Sequence, residues 1–174
     1  MAPGSSRLLV VHHSPTRVSR ALTEAVLGGT RDPELAELGT DVEVVVRGAL
    51  EATADDVQAA DGLLLGTTAN FGYMSGALKH FFDSTFLALG GALSDDGQGS
   101  GEPAAPGQKL PFGLWVHGRY DTTGATRSVL SITQALPWRQ AVAPLEVLGD
   151  LDEAVTAAAH DLGATLAALT TEGR

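Results

Sequence analysis

The sequence contains no cysteine. That absence excludes disulfide scaffolds, thiolate metal sites, iron–sulfur ligation and thiol nucleophiles, so any redox role must use a bound cofactor. Basic residues are scarce as well: 11 Lys and Arg stand against 21 Asp and Glu, a formal net charge of −10, with no basic cluster. Nucleic acid and anionic membrane surfaces both reward clustered Lys and Arg, so neither is expected as a partner. An acidic surface serves solubility first and docking to a basic redox partner second. Long apolar runs are missing too. The run at 8–11 is too short for a signal-peptide core and no stretch can span a bilayer, so a cytoplasmic protein without membrane insertion is expected. Gly-x-Ser-x-Gly is absent, which leaves a serine hydrolase no nucleophile elbow.

What is present suits a single domain, 174 residues long and 44% hydrophobic, with enough apolar material for a substantial core. Apolar or β-branched runs at 7–12, 41–46, 62–66, 110–117 and 142–148 read as strands. Amphipathic or capped stretches at 16–27, 53–60, 75–89, 124–136 and 153–170 read as helices, the first closed by Gly28-Gly29. Strict alternation of the two predicts an α/β fold: a doubly wound five-stranded parallel sheet with helices on both faces and right-handed crossovers. The common order for such a sheet is 2-1-3-4-5, with a ligand crevice between strands 1 and 3. The Gly-, Pro- and Ser-rich interval at about 90–108 reads as a flexible loop, either at a subunit contact or site mouth or as an uninvolved insertion.

Two stretches carry chemistry, and both fall at carboxyl ends of predicted strands. The first is Ser14-Pro15-Thr16-Arg17-Val18-Ser19, three hydroxyls leading into a helix. A phosphate there gains from free backbone N–H groups and the helix dipole, and Arg17 adds a fork for its oxygens. The alternative is that Ser14 or Thr16 merely caps the helix. The stretch is neither a nucleotide P-loop nor a Rossmann fingerprint, because it lacks their lysine and glycines. The second stretch, 67–76, is small and polar, and brings backbone groups close to a flat heterocycle while Phe71 or Tyr73 covers a face of it. A flavin fits that description.

The hydroxyl spacing at 14–19 resembles the phosphate loop of flavodoxins. Ala-Asn-Phe-Gly-Tyr-Met-Ser-Gly-Ala-Leu-Lys-His-Phe-Phe-Asp at 69–83 resembles the signature of flavodoxin-type, NAD(P)H-dependent FMN reductases and quinone reductases. In that group a threonine-rich loop leads to Phe-Gly-x-Met-Ser-x-x-x-Lys-x-Phe-x-Asp. The resemblance implies a flavodoxin-like sheet, with Ser14, Thr16, Arg17, Val18 and Ser19 around an FMN phosphate. It implies Thr68, Ala69, Asn70, Phe71 and Gly72 along the isoalloxazine and ribityl chain. A third, weaker match after strand 4 implies that His117, Gly118, Arg119, Tyr120 and Gly124 border the pyrimidine edge, with Tyr120 as a stacking ring. Arg17 stands where flavodoxins carry glycine, which points toward the reductases. Thr68 or Ala69, and Asn70, replace the proline and arginine common in quinone reductases, so those substrate contacts do not carry over.

The implied activity is transfer of electrons from NADH or NADPH through bound FMN to a quinone, a flavin or another small acceptor. A homo-oligomer is implied with it, a second subunit completing the pocket. The competing readings are a one-electron carrier of flavodoxin type and a flavin-free interaction protein on the same fold. No acid–base residue is required, so no catalytic side chain is nominated. His12 and His13 lack further ligands at metal spacing, and no metal site is expected. Lys79 and Asp83 form an ordinary helix-face pair, and Trp115 and Trp138 read as core or interface rings.

Overall fold

The structure is a computed structural model that describes residues 5–90 and 109–172. In chain order it comprises β1 (Ser6–His12), α1 (Arg17–Gly29), α2 (Pro33–Glu37), β2 (Val42–Gly48), α3 (Ala54–Gln58), β3 (Gly62–Asn70), β4 (Tyr73–Met74), α4 (Gly76–Thr85), β5 (Leu110–Gly118), α5 (Thr123–Thr133), β6 (Trp138–Gln140), β7 (Leu145–Leu148) and α6 (Glu153–Glu172). Apart from Gly90, the segment read as a flexible loop at about 90–108 lies outside the described residues.

The strands pair in the order β2-β1-β3-β5-β6, with β7 also on β5, and every pairing among them is parallel. This is the expected order, with the outermost place shared by two short strands. Alternation of side chains along each strand divides the core in two. Leu9, Val11, Leu63, Leu65, Phe112, Leu114 and Val116 face α3, α4 and α5, where Val57, Leu78, Phe81, Phe82 and Val129 meet them. On that side Trp138 lies 6.2 Å from Phe82 and 6.1 Å from Phe112, ring centre to ring centre, in tilted contacts. Leu8, Val10, Leu64 and Trp115 face α1 and α6, against Leu22, Val26, Leu162 and Leu166. Both tryptophans are therefore core rings.

Short elements at Pro33–Glu37 and Trp138–Gln140 add to those expected from the sequence, and three further features depart from that reading. The strand expected at 62–66 continues to Asn70, because Thr67 and Thr68 pair with Val116 and His117 of β5 and Asn70 opens a hairpin to Tyr73. Phe71 (φ 51°) and Gly72 (φ 77°) form its two-residue turn, both left-handed, as the twist of a tight hairpin demands. Gly28 and Gly29 do not close α1 but belong to it. Gly29 lies so close to the α6 backbone that a Cβ would strike the His160 carbonyl, and Gly163 stands in the same relation to the Val26 carbonyl. The strand expected at 142–148 is interrupted before Leu145, where Pro144 has no N–H to give the sheet.

Candidate functional site

The order of strands reverses between β1 and β3, and the crevice beyond their carboxyl ends is where an open α/β sheet holds ligands. His12 pairs in register with Gly66, and the His13 amide donates to the Gly66 carbonyl at 3.0 Å. These contacts bring 13–19 and 67–72 together, as the sequence placed them.

From β1 the chain turns directly into α1. Thr16 is the N-cap: its Oγ1 accepts the Ser19 amide at 3.1 Å, while the Thr16 amide donates to Ser19 Oγ at 3.0 Å. The Ser19 hydroxyl donates to the Thr16 carbonyl, so the Thr16 proton is left for Ser19 Oγ or an incoming anion. Capping thus uses the same residues that the sequence nominates for an anion. The amides of Arg17 and Val18, first and second in the helix, have no acceptor within it. Arg17 is exposed beside them. Ser14 Oγ lies 3.0 Å from His12 Nδ1 and 2.7 Å from Thr23 Oγ1. Burial, and then the neighbouring His13, hold His12 below the ordinary histidine value.

The β3 end forms the second side. Thr67 Oγ1 binds the Ser75 amide and hydroxyl, both at 3.0 Å, and Ser75 Oγ caps α4 through the Leu78 amide. Thr68 points to the opposite face, the one carrying His12 and Trp115. It is 6% exposed, and its hydroxyl has no hydrogen-bond partner. Beneath the crevice Gly66 has no side chain because the Trp115 indole occupies that space. Ala69 is half-buried, whereas Asn70, Phe71 and Gly72 stand in solvent.

The β5 end makes the third side. Gly118 lies against Ala69, where a Cβ would come within 3.2 Å of the alanine methyl. Gly124 lies under the hairpin turn, where a Cβ would strike the Gly72 carbonyl. His117 turns away from the crevice: its Nε2–H donates to the Gly149 carbonyl at 2.7 Å. Arg119 follows it toward the same loop, 3.4 Å from Asp150, with both side chains mostly exposed. Tyr120 is 91% exposed. Asp121 supplies the turn that opens α5; the Thr123 amide it accepts at 3.0 Å holds its carboxyl below the ordinary value.

Three side chains beyond those nominated from the sequence border the turn into α1. His12 shares strand parity with Leu8 and Val10, which predicts that it faces α1. Thr23 follows Ser19 by one helical turn, its buried hydroxyl donating to the Ser19 carbonyl at 3.0 Å. Arg20 folds back to the Pro15 carbonyl at 2.9 Å. Among the described residues, no group of three or more His, Cys, Asp or Glu is placed to hold a metal ion, and no helix is long and apolar enough to cross a membrane.

The donor set suits a ligand with an anionic end and a flat polar body. Orphan helix amides and hydroxyls lie at one end and an unpartnered buried hydroxyl at the middle, while Gly118 and Gly124 let the β5 end and the start of α5 pack close against Ala69 and the hairpin turn. No family model matches the chain. A flavodoxin from Aquifex aeolicus (strain VF5) is 32% identical over 131 residues, 68% of this chain and 68% of that protein. A flavodoxin from the domain Archaea superposes with a TM-score of 0.70 at 15% identity, over 95% of this chain and 99% of that one. A flavodoxin, WrbA-like protein from Agrobacterium tumefaciens superposes with a TM-score of 0.65 at 17% identity, over 98% of this chain and 100% of that one.

Proposed function

The chain belongs to the flavodoxin family, and from that premise we propose that it binds FMN beyond the ends of β1, β3 and β5 and oxidises NADH or NADPH to reduce a small acceptor. The observation that carries the reading is the alignment, across the switch point, of the hydroxyl-lined N-terminus of α1 with the unpartnered Thr68 hydroxyl. When bound, the flavin supplies transfer of electrons from a nicotinamide to a quinone, a free flavin or another small molecule stacked in the nicotinamide's place.

The chain's own residues bind and orient. The Arg17 and Val18 amides, the hydroxyls of Ser14 and Thr16, and the Arg17 guanidinium hold the phosphate, and Ser19, its proton on the Thr16 carbonyl, fixes Thr16 for that contact. Thr68 donates its hydroxyl to the ribityl chain or ring edge, which ends its isolation. Ala69, Asn70 and the turn at Phe71 and Gly72 line the ring. Gly118 and Gly124 hold the β5 end and the start of α5 close against Ala69 and the hairpin turn, fixing that side of the pocket, and Arg119 and Tyr120 stand at its rim. Phe71, Tyr73 and Tyr120, all exposed there, offer the surface on which a second copy closes the pocket.

A one-electron carrier is the second reading, favoured by the 32% identity to a flavodoxin. The motif at 69–83 and Arg17 favour the reductase. The two separate in one experiment. Protein mixed with FMN and desalted is followed by visible absorbance as NADPH, and then dithionite, is added without oxygen. A retained flavin band bleached by NADPH supports the reductase. A retained band bleached by dithionite alone supports the carrier, and no retained band refutes FMN binding.

A further inference from the structure

Among the side chains that the binding scheme leaves unused, His12 is the one wired into it. The direction of that wiring follows from counting protons. Each hydroxyl has one. Thr23 gives its proton to the Ser19 carbonyl at 3.0 Å, so at 2.7 Å it accepts from Ser14. Ser14, having given its proton away, accepts at 3.0 Å from His12, whose Nδ1 must therefore carry hydrogen. The chain runs one way, from imidazole to backbone carbonyl, and leaves Nε2 as the site of any second proton.

We propose that His12 is the positioning residue of the phosphate loop and couples phosphate binding to uptake of one proton. The inference rests on the FMN reading and specifies how that site responds to pH. With one Ser14 lone pair occupied by Nδ1–H, the Ser14 proton can only be given onward, to Thr23 or to a phosphate oxygen. A phosphate dianion at the α1 N-terminus then stands one hydroxyl away from the imidazole, and its charge favours the imidazolium. The proton comes from solvent to Nε2 and leaves the Nδ1–H geometry unchanged. Before phosphate arrives, burial and His13 disfavour the charged ring, so there is a proton to be gained.

The charged and titratable groups around His12 are few. His13 follows it in β1. From the β2 side, the Glu51 carboxylate lies over Gly48, the register partner of His12. Arg17 and Arg20 lie on the first turn of α1, and the β3 partner is Gly66. The two arginines oppose protonation and Glu51 favours it. None of them replaces the phosphate as the charge that changes on binding.

The test is FMN affinity by flavin fluorescence from pH 8.5 to 6.5, with calorimetry at pH 7 in buffers of different ionisation enthalpy. Wild type, H12Q and H13Q are compared, and riboflavin serves as the phosphate-free probe. A rise of one pKa unit is about tenfold in affinity between the two protonation limits. Wild type is therefore expected to bind FMN more tightly at pH 6.5 than at pH 8.5, by up to about tenfold for a one-unit rise, and to take up protons, while H13Q changes in the same direction. H12Q is expected to lose both, and riboflavin to show neither. The phosphate's own second ionisation, near pH 6, acts with opposite sign and cannot imitate this. Equal pH slopes and proton counts in wild type and H12Q, with FMN bound, overturn the role of His12 and leave the FMN reading standing. An H12Q protein that does not fold leaves the wild-type comparison of FMN with riboflavin decisive: equal proton uptake overturns the proposal. Failure of wild type to prefer FMN over riboflavin overturns the phosphate site and this inference with it.

Discussion

Replacing Thr68 by valine should move stability and affinity in opposite directions. The Thr68 side chain is 6% exposed, and its hydroxyl is buried without a partner. A buried polar group left unsatisfied costs about 1–3 kcal/mol, and valine keeps the branched shape without it. Cofactor-free T68V should therefore be more stable by about 1 kcal/mol, after allowance for local relaxation. In a domain of this size that is about 2–4 °C in melting temperature. With FMN the sign reverses. The hydroxyl that was a liability becomes a donor to the ligand, and its loss should weaken FMN by about tenfold, the equivalent of about 1.4 kcal/mol. Urea denaturation of the cofactor-free proteins and fluorescence titration with FMN measure the two halves. A T68V protein less stable than wild type, or one that binds FMN with unchanged affinity, refutes the assignment of Thr68 to the site.

Phe71→Asn should stabilise the cofactor-free protein by about 1 kcal/mol in urea melts, because Phe71 is fully exposed in a left-handed turn position that asparagine tolerates better. The same change should weaken FMN if the ring covers the flavin. Gly163→Ala would gain about 1 kcal/mol from helix propensity alone, but its Cβ would strike the Val26 carbonyl. A net loss of about 2 kcal/mol in a thermal melt is expected, and a gain would show that α1 and α6 are not in close backbone contact. Burial draws the Asp56 carboxyl upward, but the Thr53 amide and hydroxyl and Arg47 outweigh it and hold the group below its ordinary 3.8. The folded state thus binds this proton less readily than the unfolded one. Its contribution should be complete above the ordinary value and lost as pH falls below it. D56N, measured by urea melts at pH 7 and pH 3, should lose less stability on acidification than wild type.

Strand order was legible because long apolar runs alternate with capped, amphipathic stretches, as at 62–66 and 53–60. Less legible was whatever depended on partners distant in the chain. Thr67 to Asn70 read as a loop because the residues are small and polar, yet pairing with β5 and β4 makes them strand. Gly28 and Gly29 read as a helix stop because the reason for them, the backbone of α6, lies far along the sequence. At the site, hydroxyls before a helix announced an anion-binding turn. His12 reads, from its strand end, as a residue near the site and as a poor metal ligand; its parity with Leu8 and Val10 places it on the α1 face. His117 and Arg119 followed a family pattern, and their bonds to the 149–150 turn depend on β7 docking, which no local signal announces.

The glycine interlock of α1 with α6 also sets an order of events during synthesis. The helix whose N-terminus borders the crevice precedes most of the sheet in the chain, yet the backbone that its glycine locks against belongs to α6. On the ribosome, β1, β2 and β3 can pair and give α1 a sheet to rest on before its glycine partner in α6 exists. The N-terminus of α1 is therefore held in its final place only once residues 153–172 have emerged.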